Sequence, residues 1–143
     1  MNLFAEIRTL VIDCLNHMEM DKDLPEGLNF AFVTVEPPRD TAHGDMATNA
    51  AMVLAKTSGL KPRDIAEKLA SLLLADTRVA FAEVAGPGFL NLRLAPQVWE
   101  NVLSAILQNP EQYGRAKMGL GKRVNVEYVS ANPTGPLHVG HTR

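Results

Sequence analysis

Val79-Ala-Phe-Ala-Glu-Val-Ala85-Gly-Pro-Gly88-Phe89-Leu-Asn-Leu-Arg-Leu94 decides the fold. Two short runs with strand character, Val79 to Ala85 and Phe89 to Leu94, are joined by Gly86-Pro87-Gly88, residue types that turn a chain. In the second run Leu90, Leu92 and Leu94 share one face and form the core side, and alternation puts Phe89, Asn91 and Arg93 on the other. A ring, an amide and a guanidinium in a row suit an unstacked RNA base: the ring stacks on it, the amide reads its edge and the cation meets a phosphate. The residues are equally compatible with Phe89 tucked under a helix and Asn91 and Arg93 merely facing solvent.

On either side the apolar spacing becomes helical. Leu3, Ile7, Leu10, Val11, Cys14, Leu15 and Met18 define a first amphipathic helix. Asp21 to Gly27 is a polar break, and Phe30-Ala-Phe-Val-Thr-Val-Glu36, closed by Pro37-Pro38, predicts a strand. A helix is expected over 45–56, with Met46, Ala50, Val53 and Leu54 inward and Gly59 as its stop. Before it, His43-Gly44-Asp45 reads as a turn at Gly44 with Asp45 as a helix-start carboxylate, and His43 is structural rather than catalytic. Pro62 opens a helix with an Ile65, Leu69, Leu72 and Leu73 stripe, and Pro96 starts a last one carrying Val98, Trp99, Val102, Leu103 and Ile106. No internal repeat or low-complexity segment interrupts the series. The expected architecture of 1–108 is α+β, a small antiparallel sheet packed with helices.

From Asn109 to Lys122 the texture changes: Pro110, Gly114, Gly119 and Gly121 appear with Arg115, Lys117 and Lys122, and apolar periodicity lapses. Residues 109–122 read as a linker; its basic residues could touch an RNA backbone, but an ordinary solvated loop accounts for them better. Residues 123–143 then begin something new. Arg123-Val-Asn-Val-Glu-Tyr-Val129 alternates as a strand does, and Asn132-Pro-Thr-Gly-Pro136 breaks it. A helix beginning near Leu137 would bring His138 and His141 onto one face of its first turn, with Gly140 admitting a close backbone approach. A strand end beside a helix N-terminus is where a parallel α/β sheet holds phosphates. Two imidazoles there can donate as charge builds on an α-phosphate. A metal pair is the weaker alternative, since two histidines lack a third ligand and Cys14, His17 and His43 have no zinc-like spacing; no metal site is expected.

Glu127-Tyr-Val-Ser130-Ala-Asn132-Pro-Thr-Gly-Pro-Leu-His138-Val-Gly140-His141-Thr-Arg143 closely resembles the class I aminoacyl-tRNA synthetase signature in the version carried by arginyl-tRNA synthetases. The four-residue His-x-Gly-His alone is a weak signal, shared with other nucleotidylyl transferases; the longer string is specific. The resemblance implies that His138, Gly140 and His141 bind ATP, with both histidines catalytic in adenylate formation. It implies that Ser130 and Asn132 hold the amino and carboxylate ends of L-arginine, and that Glu127 faces the guanidinium. Taken by itself, Glu127 also fits the weaker alternative of an ordinary solvated strand residue. Gly86-Pro-Gly-Phe-Leu-Asn-Leu92 resembles the extra N-terminal domain of the same family, which touches the tRNA elbow where the D-loop exposes a base. That match implies a tRNA-binding role for Phe89 and Asn91, and alternation extends it to Arg93. His43-Gly44-Asp45 also resembles a family feature, without an assigned chemical role.

The resemblance runs through essentially the whole chain. The fold it implies for 123–143 is the first strand and turn of a class I Rossmann-like α/β catalytic domain. No Lys-Met-Ser-Lys-like loop, second sheet half or anticodon-binding domain is present, so the chain reads as a piece of a longer enzyme, without catalytic activity alone. The whole enzyme would use ATP, with Mg2+ accompanying it, L-arginine and tRNA(Arg), acting as a monomer in the cytoplasm. In this family activation usually waits for bound tRNA. Two other readings stay open: a stand-alone RNA-binding module, and another His-x-Gly-His nucleotidylyl transferase, which would have no use for Ser130, Asn132 and Glu127 together. Composition is neutral between them. A net charge of −2 over 143 residues announces neither nucleic acid nor an anionic membrane. A single cysteine excludes an intrachain disulfide, and no apolar run is long enough to span a bilayer.

Overall fold

The structure is a computed structural model that describes residues 2–38, 40–115, 119, 121–126, 135, 136 and 138. The chain divides into two compact units, Met1–Tyr113 and Gly114–Arg143. The first is α+β. Its elements run α1 (Leu3–Met20), β1 (Val35–Glu36), β2 (Met46–Thr48), α2 (Ala50–Ser58), α3 (Pro62–Leu73), β3 (Val79–Ala85), β4 (Phe89–Leu94) and α4 (Pro96–Gln108). The four strands form one antiparallel sheet in the order β1-β2-β4-β3, so β4 is interior and β3 is an edge.

One face of that sheet is closed by helices because their apolar stripes have nowhere else to go. Ile7, Val11 and Leu15 of α1, Leu54 of α2, and Ile65, Leu69 and Leu73 of α3 pack with Met46, Leu90, Leu92 and Leu94 in a single core. Asn2 caps α1 by accepting from the Ala5 amide at 3.2 Å, and Gly59 ends α2 in the left-handed conformation, its N–H donating to Ala55. In α4 only Val98 is buried; Trp99, Leu103 and Leu107, four residues apart on one stripe, are exposed.

Within residues 30–56 two secondary-structure expectations need correction. The strand predicted over Phe30–Glu36 shrinks to Val35–Glu36. The preceding backbone is held by side chains instead of a ladder. Asn29 accepts from the Ala31 N–H at 2.8 Å, and Arg8 donates to the carbonyls of Val33 and Phe30 at 2.7 and 3.3 Å. Asn49 accepts from the Thr34 N–H at 2.8 Å and donates to the Phe32 carbonyl at 3.2 Å. With those groups satisfied, no strand partner is required.

The helix expected over 45–56 starts only at Ala50, because Met46–Thr48 pairs with β4. Met46 and Thr48 are both buried with Ala47 between them on the other face, a period of two. The Met46–Ala50 spacing satisfied both templates, and the ladder decided between them. Asp45 is therefore not a helix-start carboxylate. Its N–H donates to the Leu92 carbonyl at 2.8 Å, and its Oδ2 accepts from the Leu94 N–H at 2.8 Å, fastening β2 to β4.

In the second unit the described residues adopt turns or irregular backbone, with the Lys122 N–H donating to Gly119. The strand expected over 123–129 is not formed at 123–126, where Val124 and Val126 are exposed. A strand is held by its neighbour's ladder, and no described residue supplies one. Residues 127–129, and the turn and helix start expected over 130–143 apart from 135, 136 and 138, lie outside the described residues.

Candidate nucleic-acid interface

The candidate interface is the sheet face turned away from the helices. Leu90, Leu92 and Leu94 are buried inward, as their alternation requires, so Phe89, Asn91 and Arg93 project outward. Phe89 keeps 45% of its surface exposed and is not tucked under a helix. Its cross-strand neighbour is Ala85, which is too small to cover a ring. Arg93 is exposed and forms no ion pair among the described residues.

Asn91 is the unusual member. It sits mid-sheet between Ala47 on β2 and Glu83 on β3, is only 7% exposed, and makes no side-chain hydrogen bond among the described residues. Its amide oxygen and nitrogen are not among the buried atoms that lack a partner, so both still reach the open side of the sheet. The Ala47 side chain has no polar atom to offer and Glu83 makes no hydrogen bond to the amide among the described residues, so the amide's free edge opens onto the face.

Two glycines hold β4 in position. Gly44, at φ +114°, lies so close to β4 that a Cβ would stand 2.6 Å from the Leu92 carbonyl oxygen. Gly88, at φ +148°, brings the β3–β4 turn against α3, where a Cβ would meet Pro62 at 2.7 Å. Phe89 follows directly, so its placement is set by backbone packing on both sides.

Electrostatics favour a base over a phosphate here. Glu36 and Glu83 lie in the same cross-strand row as Asn91, leaving Arg93 to supply positive charge at the margin. Carboxylates repel a nucleic-acid backbone but accept from base amino groups.

Elsewhere in this unit several ionisable groups pair with one another. A cavity of about 360 Å³ is lined by Glu19, Asp23 and Glu26 among others, and Asp23 Oδ2 pairs with Lys68 Nζ at 2.9 Å. The bond to Asp23 raises the Lys68 pKa above the usual lysine value. Burial pushes the half-buried Cys14 thiol up, away from the reactive thiolate. Among the described residues no three His, Cys, Asp or Glu are grouped to hold a metal, and no helix is long and apolar enough to cross a membrane.

A family model described as the arginyl tRNA synthetase N terminal domain matches residues 5–94. The chain belongs to this family. Curated relatives agree along its entire length. It is 71% identical to the arginine–tRNA ligase of Ruegeria sp. (strain TM1040) and 68% identical to those of Roseobacter denitrificans and Paracoccus denitrificans. In each case the whole chain is covered, and it spans about a quarter of the relative's length (25%). The arginyl tRNA synthetase N terminal domain match takes in all four strands and ends at Leu94, so Phe89, Asn91 and Arg93 fall inside it, whereas α4 and the His-x-Gly-His string fall beyond.

Of the residues expected to bind ATP and arginine, His138 is described and exposed. Glu127, Ser130, Asn132, Gly140 and His141 lie outside the described residues. A neighbour of Arg93 escapes the alternation of β4 altogether: Phe81, directly across the ladder on β3. Only the register of the hairpin reveals it.

Proposed function

We propose that the full-length protein is an arginine–tRNA ligase and that the open face of this sheet holds an unstacked base at the tRNA elbow. Asn91 carries the RNA reading: it has no hydrogen-bond partner among the described residues, its amide opens onto the face, and it is set between an exposed ring and an exposed guanidinium. Phe89 stacks on the base, Asn91 reads its edge, and Arg93 meets the adjoining phosphate. The identity to whole-length arginine–tRNA ligases supports the chemistry.

In that chemistry the arginine carboxylate attacks the α-phosphate of ATP and pyrophosphate leaves; a hydroxyl of the terminal ribose of tRNA(Arg) then attacks the carbonyl of the adenylate, taking the aminoacyl group and releasing AMP. His138, Gly140 and His141 would grip the nucleotide, with the histidines stabilising charge on the α-phosphate. Ser130, Asn132 and Glu127 would hold the amino acid. ATP brings Mg2+ with it, and the enzyme works as a cytoplasmic monomer. Residues 1–108 serve as the elbow-binding domain, 109–122 as linker and 123–143 as the start of the catalytic domain.

Asn91→Ala in the full-length protein separates this role from a structural one. Affinity for a tRNA(Arg) transcript is expected to fall about tenfold, while stability in urea stays close to wild type because the Asn91 side chain makes no hydrogen bond among the described residues. A variant that loses stability yet binds tRNA normally would mean that Asn91 serves the fold alone. Arginine-dependent pyrophosphate exchange in the presence of tRNA tests the ligase assignment, and exchange driven by lysine or glutamine instead would overturn it.

A further inference from the structure

The ladder between β3 and β4 carries an irregularity. Val79 pairs with Leu94, but the next partner of β4, Arg93, is matched by Phe81 rather than Ala80. Ala80 is the extra residue of a β-bulge. Simple alternation from the buried Val79 would send Phe81 into the core. The bulge reverses that parity, so Ala82 and Val84 pair with Leu92 and Leu90 on the inner face while Phe81 is turned outward, 53% exposed. Bulges recur where a side chain must be re-aimed. An edge strand ordinarily carries charge or proline on its open face, not a bare ring.

We propose that Phe81, with Arg93 beside it, is a second base-stacking position, and that the sheet face holds two splayed nucleotides of one RNA loop. This rests on the reading of Phe89 and Asn91 as an RNA contact and extends it. Phe89 pairs with Ala85 and Phe81 with Arg93, four residues along the ladder. At about 3.3 Å per residue the two positions are offset by ~13 Å along the strands. Neighbouring bases in a duplex are separated by about 3.4 Å, so the rings cannot serve adjacent stacked bases. They suit nucleotides pulled apart in a loop, the form in which RNA offers its base faces to aromatic side chains. Between the rings lie Asn91 and Glu83, cross-strand partners. Their amide and carboxylate can bond base edges, while the carboxylate turns a phosphate away. The RNA backbone therefore runs along the Arg93 margin, where the guanidinium lies beside Phe81 and has no ion pair among the described residues.

The test measures binding of a tRNA(Arg) transcript to the full-length protein carrying Phe81→Leu, Phe81→Tyr, Phe89→Ala, or Phe81→Leu with Phe89→Ala. Phe81→Leu is expected to bind about tenfold more weakly, the loss of one stacked base. Phe81→Tyr keeps wild-type affinity, and the double variant shows the product of the two single losses because separate nucleotides are involved. Thermal unfolding of Phe81→Leu stays close to wild type, since the ring leaves no core cavity. Wild-type binding by Phe81→Leu alongside weak binding by Phe89→Ala would overturn the second position and leave the first standing. Equal losses for leucine and tyrosine, or a double variant no weaker than Phe89→Ala, would also overturn it. Wild-type binding by every variant would remove both positions.

Discussion

Gly44→Ala is expected to lower the folding stability of the Met1–Tyr113 unit by about 3–5 kcal/mol, a large share of what a domain of this size has. Two costs combine. The backbone there is at φ +114°, a conformation that strains an L side chain by about 1–3 kcal/mol. The new methyl would also stand 2.6 Å from the Leu92 carbonyl oxygen and 3.2 Å from its carbon. Both obstacles are backbone in the interior strand, so neither can swing aside. Relief requires β2 to move off β4, which weakens the paired bonds that Asp45 makes to Leu92 and Leu94. Gly59→Ala is the control. It has a left-handed φ of +73° but nothing within 4 Å of its added Cβ, so it loses only about 1 kcal/mol. Urea denaturation distinguishes them. Equal midpoint shifts for the two variants would mean that the close approach at Gly44 is absent.

Phe89→Ala combined with Asn91→Ala should weaken binding of tRNA(Arg) by the full-length protein about a hundredfold. A stacked base is worth about 1–3 kcal/mol and a base-edge amide a similar amount, and together these correspond to roughly two decades in affinity. Filter binding at fixed salt reads the change directly. Because Phe89 is half exposed and Asn91 makes no side-chain hydrogen bond among the described residues, the double variant should remain folded. Undiminished binding would leave the outward face without an RNA role. In aminoacylation the loss should appear chiefly in KM for tRNA, since neither residue approaches the reacting carboxylate in the proposed mechanism.

Much of this was legible in the residues, and the failures have identifiable causes. β3 and β4 emerge with the predicted bounds because Gly86-Pro87-Gly88 punctuates them and the leucines of β4 alternate cleanly. α3 and α4 start at Pro62 and Pro96 as read, because a proline at the first helical position forgoes no bond. Residues 30–34 looked like a strand because β-branched and aromatic residues report local preference, whereas the decisive bonds come from Arg8 and Asn49, distant in sequence. β2 was hidden inside a helical pattern since three residues are too few to display a period. At the interface, alternation revealed Phe89 and Arg93 but not that Asn91 is nearly buried, which depends on its neighbours. Phe81 was invisible for a sharper reason. One inserted residue reverses the parity of a strand, and nothing about Ala80 marks it as the insertion. The apolar stripe of α4 was also readable, but periodicity reports only that a face exists, and Trp99, Leu103 and Leu107 are exposed in this unit.

The central claim is that the outward face of β4 touches the tRNA elbow, and a contact is best tested by trapping it. A benzophenone-bearing phenylalanine placed at position 89 of the full-length protein, irradiated with saturating tRNA(Arg), should cross-link to a nucleotide of the D-loop. Cross-links confined to the anticodon arm or acceptor stem, or none at all while tRNA remains bound, would contradict the account.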